Sequence, residues 1–209
     1  MQKEVKRKNK LPEAFYVIMK PLIITLYKLW YNPHIQGKEN IPKTGNILIC
    51  ANHVHLMDQF NMIGSTRRIV HYMAKREYFD DKKTKWFFQL SGCISVDRQN
   101  GDPEAKEKAI NVLENGGAIG LFPEGTRNKQ RDKTKLLPFK YGAVSLAKKT
   151  DSYIVPVGIS GDYKFRSRNL YITIGKPFKV TNMELSDANN RLRNAISNLI
   201  DKSYNRAKK

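Results

Sequence analysis

The 209-residue sequence is poor in acidic residues and in cysteine. Asp and Glu number 19 against 38 Lys and Arg, which leaves a formal charge of +19. This excess favours a polyanionic partner, such as nucleic acid, anionic lipid or a phosphorylated substrate, and charge alone does not choose among them. Cys50 and Cys93 are far apart and form no C-x-x-C motif, which excludes a zinc or dithiol site. Their apolar neighbours indicate buried free thiols in a reducing compartment.

No apolar run is long enough to predict a membrane-spanning helix, which needs about 20 mostly apolar residues. The most apolar stretch, residues 14–30, is interrupted by Lys20, Pro21 and Lys28. It predicts an N-terminal amphipathic helical hairpin, two short helices divided at Pro21, which lies in the membrane interface. An ordinary helical hairpin packed on the core fits the same pattern. The predicted docking side chains are Phe15, Leu22, Leu26 and Trp30.

Several chemical signatures are also missing from the sequence. It contains no G-x-S-x-G, no Walker loop and no G-x-G-x-x-G, so a serine nucleophile elbow and the common nucleotide-binding loops are excluded. His53, His55 and Asp58 resemble the start of a two-metal hydrolase motif, but the Asp comes one place late and no His follows it. Only His34 and His71 remain, too few for the usual ligand set, so we expect no metal.

Short apolar runs alternate with helical patterns along the chain. This alternation predicts an α/β fold with a mixed, mostly parallel sheet covered by helices. We expect a basic leader and helical segment over residues 1–34 and a single catalytic domain over residues 35–209. Strands are predicted at residues 46–51, 69–73, 94–96, 118–122, 153–159 and 170–174. Helices are predicted after Pro103 and at residues 139–149 and 184–207, with helical spacing of aromatic residues over 78–90.

Polar clusters follow two of the predicted strands, at residues 52–58 and 122–127. Because ligands of α/β sheets bind at the carboxyl ends of strands, we expect both clusters to belong to one site. In the first cluster a histidine requires a carboxylate partner to act as a base. His55 and Asp58 share a helix face, whereas His53 and Asp58 meet only if His53 lies in the turn before the helix. Spacing leaves both pairs open, as well as a helix-capping turn with incidental histidines.

The second cluster and residues 92–98 each place an acidic residue close to an arginine. Gly125 permits a sharp turn close to a ligand, and Arg127 offers a planar fork suited to phosphate. Arg98 ends the other cluster in the same way. Together they indicate a phosphorylated substrate with a nearby hydroxyl, although β-turns carrying surface ion pairs fit each cluster taken singly.

In this order, the clusters resemble the lysophosphatidic acid and glycerol-phosphate acyltransferases, most closely the bacterial 1-acyl-glycerol-3-phosphate acyltransferases. The resemblance covers about residues 35–175. It rests on four ordered motifs and an F-K-x-G-A run. These are N-H-x4-D (Asn52, His53, Asp58), G-x-I-x-V-D-R (Gly92, Ile94, Val96, Asp97, Arg98), F-P-E-G-T-R (residues 122–127), Phe139 to Ala143, and a V-P pair (Val155, Pro156).

The resemblance implies that His53 is the general base and that Asp58 orients it. His55 stands where the family often has Ser, so this position departs from the pattern. For the acceptor's phosphate and glycerol, the resemblance implies Arg98, Glu124, Gly125, Thr126 and Arg127, with Lys140 as a further phosphate candidate. Val155 and Pro156 would support the acyl side.

The implied reaction moves a fatty acyl group from acyl-CoA or acyl-carrier protein to the sn-2 hydroxyl of 1-acyl-glycerol-3-phosphate, giving phosphatidic acid without cofactor or metal. Expected partners are an anionic membrane surface, the lysophospholipid acceptor and acyl carrier protein, with the enzyme peripheral on the cytoplasmic face of the cell membrane. Alternatives are another lysophospholipid or glycerol-phosphate as acceptor, or a thioester hydrolase. A basic lipid- or nucleic-acid-binding module without catalysis is more distant, and no nucleic acid is expected.

Overall fold

The computed structural model describes residues 11–97, 101–130, 132, 135–166 and 169–207. Seven strands are present there: β1 His34–Gln36, β2 Ile47–Ala51, β3 Val70–Lys75, β4 Ile94–Val96, β5 Ala118–Leu121, β6 Tyr153–Gly161 and β7 Leu170–Ile174. The α-helices are α1 Leu11–Tyr31, α2 Asp58–Ile63, α3 Glu77–Asp80, α4 Lys85–Leu90, α5 Pro103–Glu114, α6 Gly142–Lys149 and α7 Leu185–Ala207. A 3-10 turn occupies Lys38–Asn40.

The strands form one sheet in the order β1-β7-β6-β2-β5-β3-β4. All neighbours are parallel except β6 and β7, which are antiparallel. The predicted fold class, a mixed and mostly parallel sheet covered by helices, is therefore confirmed. The sheet places the carboxyl ends of its central strands β2 and β5 side by side, where the two main polar clusters begin.

Strand β2 lies at the centre of the sheet, and all five of its residues are buried. Leu48 and Cys50 face one core cluster with α5, α6 and α7, whereas Ile47, Ile49 and Ala51 face the other. A continuous apolar run is what a strand covered on both faces requires. Full burial of each such aliphatic side chain stabilises the fold by roughly 1.5–3 kcal/mol.

Helices α5 and α7 show how the covering layer is attached. Asp102 caps α5 by accepting a hydrogen bond from Ala105 N at 2.8 Å, and Pro103 follows it at the first helical position, as the sequence predicts. Helix α7 packs so closely on β6 that a Cβ at Gly158 would lie 2.6 Å from the carbonyl carbon of Leu199. Only glycine permits that separation between strand and helix.

Helix α1 is a single helix, so the predicted division into two helices at Pro21 is wrong. A proline inside a helix destabilises the helix by about 3 kcal/mol. In α1, however, the buried face continues on both sides of Pro21. Tyr16 on one side of Pro21, and Ile24 and Tyr27 on the other, are all buried against the domain. Tertiary packing on both sides of Pro21 thus holds α1 together.

The opposite face of α1 is exposed and apolar. Its large apolar side chains are Val17, Ile18, Leu22, Leu26, Leu29 and Trp30, of which Ile18 is 70% exposed. Thr25 and Lys28 are exposed on the same helix. Among the described residues, no helix combines the length and hydropathy that a membrane crossing requires.

The predicted boundary between residues 34 and 35 falls inside β1, whose three residues pair with β7.

Two features of the fold carry no clear signal in the sequence. Residues 78–90 form parts of two short helices, α3 and α4, rather than one continuous helix. Strand β1 was not predicted, since three residues with one partly buried side chain carry no clear alternation. It exists because β7 supplies its hydrogen-bonding partner from the far end of the chain.

Candidate active site

His53 and Asp58 form the centre of the site. Strand β2 ends at Ala51, a turn follows, and α2 begins at Asp58. His53 therefore lies in the turn before the helix, and its Nδ1 is 2.8 Å from Asp58 Oδ2. Of the two pairings that spacing left open, the structure shows this one.

Asp58 is fully buried and held by several donors. Its Oδ2 also accepts from the backbone N–H groups of Val54 at 2.7 Å and His55 at 2.8 Å, and its Oδ1 accepts from the hydroxyl of Tyr163 at 2.5 Å. Because a carboxylate oxygen only accepts, the proton of the His53 ring lies on Nδ1. That tautomer leaves the lone pair of Nε2 available to take a proton from a substrate.

His55 faces a different environment. Its ring stacks on Tyr163 with centroids 4.2 Å apart, and its Nδ1 accepts from Met57 N at 3.3 Å. It contacts Asp58 through its backbone N–H. The ring of His55 thus forms part of an aromatic wall next to the histidine–aspartate pair.

Buried polar side chains fix the backbone on either side of His53. Asn52 exchanges two hydrogen bonds of 2.8 Å with the backbone of Ile159 in β6. Glu124, 3% exposed, accepts from His53 N at 2.8 Å and from Leu137 N at 2.9 Å. Burial raises the pKa of the Glu124 carboxyl, against the lowering effect of those backbone donors. The structure thus shows Glu124 binding the protein's own backbone, and its predicted substrate contact stays a prediction.

The third motif wraps around the same histidine. The ring of Phe122 stacks on that of His53 at 4.0 Å, and Asn128 N donates to His53 O at 2.7 Å. Gly125 has a φ of +70°, and a Cβ there would lie 2.9 Å from Lys140 Cε. The positive φ favours glycine at this turn, whereas the flexible Lys140 side chain could move away from a larger residue.

A cavity of about 510 Å³ opens beside His53. Its walls are largely apolar and come from α1, α2, β3, α4 and the loops around them; they include Tyr16, Ile23, Phe60, Phe87 and Cys93. Thr126, Arg127 and Lys129 also line it. The volume falls within the range of small-molecule binding sites.

The remaining predicted site residues fall into four groups. Thr126 and Arg127 are exposed and line the cavity, whereas Lys140 is exposed and lies against Gly125. Val155 and Pro156 are buried in the middle of β6, paired with Ile49 and Cys50, and are not among the described residues that line the cavity. Arg98 lies outside the described residues.

The predicted docking residues of α1 also separate. Leu22, Leu26 and Trp30 lie on the exposed face, whereas Phe15 is partly buried and lines the cavity. Its ring is 6.3 Å from that of Trp86 in an edge-to-face contact. Helix α1 therefore contributes one face to the cavity and leaves the other uncovered.

Burial also shifts the pKa values of other titratable groups in the site. Burial raises the pKa of the Cys93 thiol to about 12, so this cysteine is a neutral wall residue. It lowers the pKa of Lys20 to about 8. Across the described residues, no three His, Cys, Asp or Glu side chains are grouped as a metal ion would require.

Sequence reasoning missed Tyr163, Asn61 and Tyr27, which form a buried hydrogen-bond chain to Asp58. None belongs to a motif, and Tyr163 is 105 residues away from Asp58 in the sequence. No local pattern could have found this contact, since the return of β6 to the centre of the sheet creates it.

Comparison with known proteins agrees with the family that the motifs resemble. The family model Acyltransferase matches residues 32–160, more than half of the chain. The 1-acyl-sn-glycerol-3-phosphate acyltransferase of Bacillus subtilis is 30% identical over 148 residues, which cover 68% of this chain and 72% of that protein. The protein of the same name from Borreliella burgdorferi is 32% identical over 163 residues, covering 77% of this chain and 64% of its own length.

A solved structure agrees at the level of the fold. The crystal structure of the 1-acyl-sn-glycerophosphate acyltransferase from Thermotoga maritima matches with a TM-score of 0.72 at 22% identity, covering 91% of this chain and 78% of that one. The family match, the relatives and the shared fold lead to one conclusion: this chain belongs to the acyltransferase family of enzymes.

Proposed function

We propose that this enzyme transfers a fatty acyl group from a thioester donor to the sn-2 hydroxyl of 1-acyl-glycerol-3-phosphate, producing phosphatidic acid in phospholipid synthesis. The observation that carries the proposal is the position of His53, which lines a largely apolar cavity of about 510 Å³ together with Arg127 and Lys129. A base, an apolar cavity and cations suit an acceptor that has a hydroxyl, an acyl chain and a phosphate. The curated relatives bear the name of this activity.

The reaction follows from the tautomer of His53. Nε2 takes the proton of the acceptor hydroxyl while that oxygen attacks the thioester carbonyl. The new C–O bond forms, the C–S bond breaks, and the leaving thiolate takes the proton from Nε2. Asp58, 2.8 Å from Nδ1, stabilises the imidazolium that exists between the two transfers.

The acceptor's phosphate is assigned to Arg127, which lines the cavity, with Arg98 and Lys140 as further candidates. An arginine fork binds two phosphate oxygens at once. Acyl-CoA and acyl-carrier protein both present a thioester and a negatively charged carrier, so the basic surface suits either donor. Thioester and hydroxyl supply the chemistry, and no cofactor is included in the proposal.

We also propose that the enzyme lies peripherally on the cytoplasmic face of the cell membrane. The exposed apolar face of α1 supports the contact with the membrane. The substrate and product of the proposed reaction are lipids. One face of α1 lines the cavity, and the opposite, apolar face is exposed. A helix with one apolar face exposed can lie in the plane of the lipid interface.

The test of the activity is acyl transfer to lysophosphatidate on vesicles from each donor, for the wild type, His53→Ala and His55→Ala. We expect phosphatidate from the wild type, loss of about a thousandfold or more in kcat for His53→Ala, and activity in His55→Ala. Matching circular dichroism spectra establish that all three are folded. An inactive wild type with both donors, or release of fatty acid that ignores the acceptor, would overturn the acceptor assignment.

Docking is tested with the double variant Leu22→Ser and Leu26→Ser. Both side chains are more than half exposed, so the fold should tolerate the change. The matched control replaces Leu185 and Tyr204, which are exposed on α7, with Ser. We expect vesicle partitioning to fall at least about tenfold in the α1 variant alone. Equal losses in both variants would contradict docking through α1.

A further inference from the structure

Tyr163 lies against the catalytic carboxylate but belongs to none of the motifs. It follows β6 in a loop that returns to the carboxyl end of β2. Its hydroxyl donates to Asp58 Oδ1 at 2.5 Å and accepts from Asn61 Nδ2 at 2.7 Å. The two oxygens of Asp58 thus bind different side chains: Oδ2 accepts a hydrogen bond from His53, and Oδ1 accepts one from Tyr163.

The burial of Asp58 makes this contact consequential. Asp58 and Asn61 are both 0% exposed, so solvent cannot replace a donor that is removed. A carboxylate held at both oxygens has one orientation, and that orientation determines where the His53 ring points.

The direction of the hydrogen-bond chain is determined by protonation. Burial, followed by the charge of Asp58, raises the pKa of Tyr163 well above its usual value, and burial raises that of Tyr27. Both phenols therefore keep their protons and act as donors. Tyr27 donates to Asn61 Oδ1 at 2.6 Å, and Asn61 in turn donates to Tyr163.

The loop that carries Tyr163 is also attached to the C-terminal end of α1. Arg166 N donates to Trp30 O at 2.8 Å, and the rings of Trp30 and Phe165 lie 4.9 Å apart. The Tyr31 and Tyr163 rings make an edge-to-face contact at 5.4 Å. Helix α1 therefore holds Tyr163 through both the backbone and the side chains.

We propose that Tyr163 is a positioning residue for the His53–Asp58 pair. Helix α1 holds Tyr163 in place through Trp30 and Tyr31, and through Tyr27 by way of Asn61 in α2. This inference rests on the proposed function, because it assigns a role within the same reaction. The residues that determine the geometry of the catalytic pair would then include Tyr163 and the residues of α1 that hold it, in addition to the motif residues.

The experiment compares Tyr163→Phe with Tyr153→Phe, which removes a hydroxyl at the other end of β6. Tyr153 is 42% exposed and lies beneath Lys179 Nζ, 5.0 Å from its ring centroid. Steady-state rates should show kcat reduced roughly tenfold to a hundredfold in Tyr163→Phe, with KM for donor and acceptor changed less than about twofold. The Tyr153→Phe control should match the wild type in both.

A second readout requires no substrate. In protein labelled with ¹⁵N-histidine, the Nδ1-bound proton of His53 gives a downfield resonance, identified by its absence in His53→Ala. We expect this resonance to shift in Tyr163→Phe and to remain in place in Tyr153→Phe. Tyr27→Phe, which breaks the far end of the chain, should shift it less.

Two results would overturn the proposal: wild-type kcat in folded Tyr163→Phe, or an unchanged His53 resonance accompanied by a mere loss of stability. The proposed function fails in a distinguishable way, since wild-type enzyme inactive with both donors leaves the resonance measurement intact. A shifted resonance in an enzyme of another specificity would still support the positioning role.

Discussion

Two buried side chains on either side of His53 show how much of the active-site geometry depends on backbone contacts. Asn52 ties the end of β2 to β6, and Glu124 ties His53 to the segment that precedes Phe139. Both residues belong to recognisable motifs, and the structure shows them binding backbone. Motif membership therefore identified residues of the site without separating substrate contacts from scaffold contacts.

Glu124→Ala should destabilise the protein, because two buried N–H groups lose their acceptor. We expect a loss of at least about 2 kcal/mol in the free energy of unfolding, measured by urea denaturation. Glu104→Ala is the control, since Glu104 is exposed on α5 and pairs with Lys108 one helical turn away. A change within about 0.5 kcal/mol is expected there. Similar values for both variants would refute the role of Glu124.

Lys20 makes stability depend on pH in the alkaline range. Burial lowers its pKa to about 8 from 10.5 in the unfolded chain, so between these values the unfolded state binds more protons. Stability from this group therefore rises as pH increases from about 8 to 10.5 and is constant below that range. Relative to Lys20→Met, the wild type should gain stability across this window in urea titrations. A difference that stays flat from pH 8 to pH 10.5 would contradict this.

At the scale of elements, the attachment of α7 to β6 depends on one glycine. Gly158→Ala places a methyl group 2.6 Å from Leu199 C and 2.7 Å from Ile200 N, both backbone atoms of α7. We expect a loss of about 1–3 kcal/mol in the free energy of unfolding, since the helix must move away. Gly142→Ala is the matched control, because nothing lies within 4 Å of its Cβ position. Unchanged stability in Gly158→Ala would mean that α7 adjusts freely.

Elements with a strong local signal were predicted closely. Strand β7 matches residue for residue, and α5 begins with the expected Asp–Pro signal. Helix α1 was misjudged because a proline is a local signal, whereas the packing of Tyr16, Ile24 and Tyr27 that overrides it is not. Strand β1 was missed for the same reason, since its partner is supplied by the far end of the chain.

At the scale of the whole molecule, the charge of +19 predicts salt-sensitive binding to anionic membranes. Raising the salt concentration from 0.1 M to 1 M shortens the screening length from about 10 Å to about 3 Å. Partitioning onto vesicles with anionic lipid should therefore fall more than about tenfold, while partitioning onto neutral vesicles changes less than about twofold. Co-sedimentation at both salt concentrations measures this. Equal salt dependence on the two lipids would assign binding to the apolar face of α1 alone.

The sequence by itself determined the fold class, the family resemblance and the histidine candidates, because hydrophobic periodicity and short motifs are local properties of the chain. Tertiary structure decided which histidine meets Asp58, that α1 is one helix, and that Glu124 holds backbone. It also brought Tyr163 to Asp58 across 105 residues. These features depend on how strands are ordered in the sheet, and contacts between distant segments leave no period or spacing in the sequence that creates them.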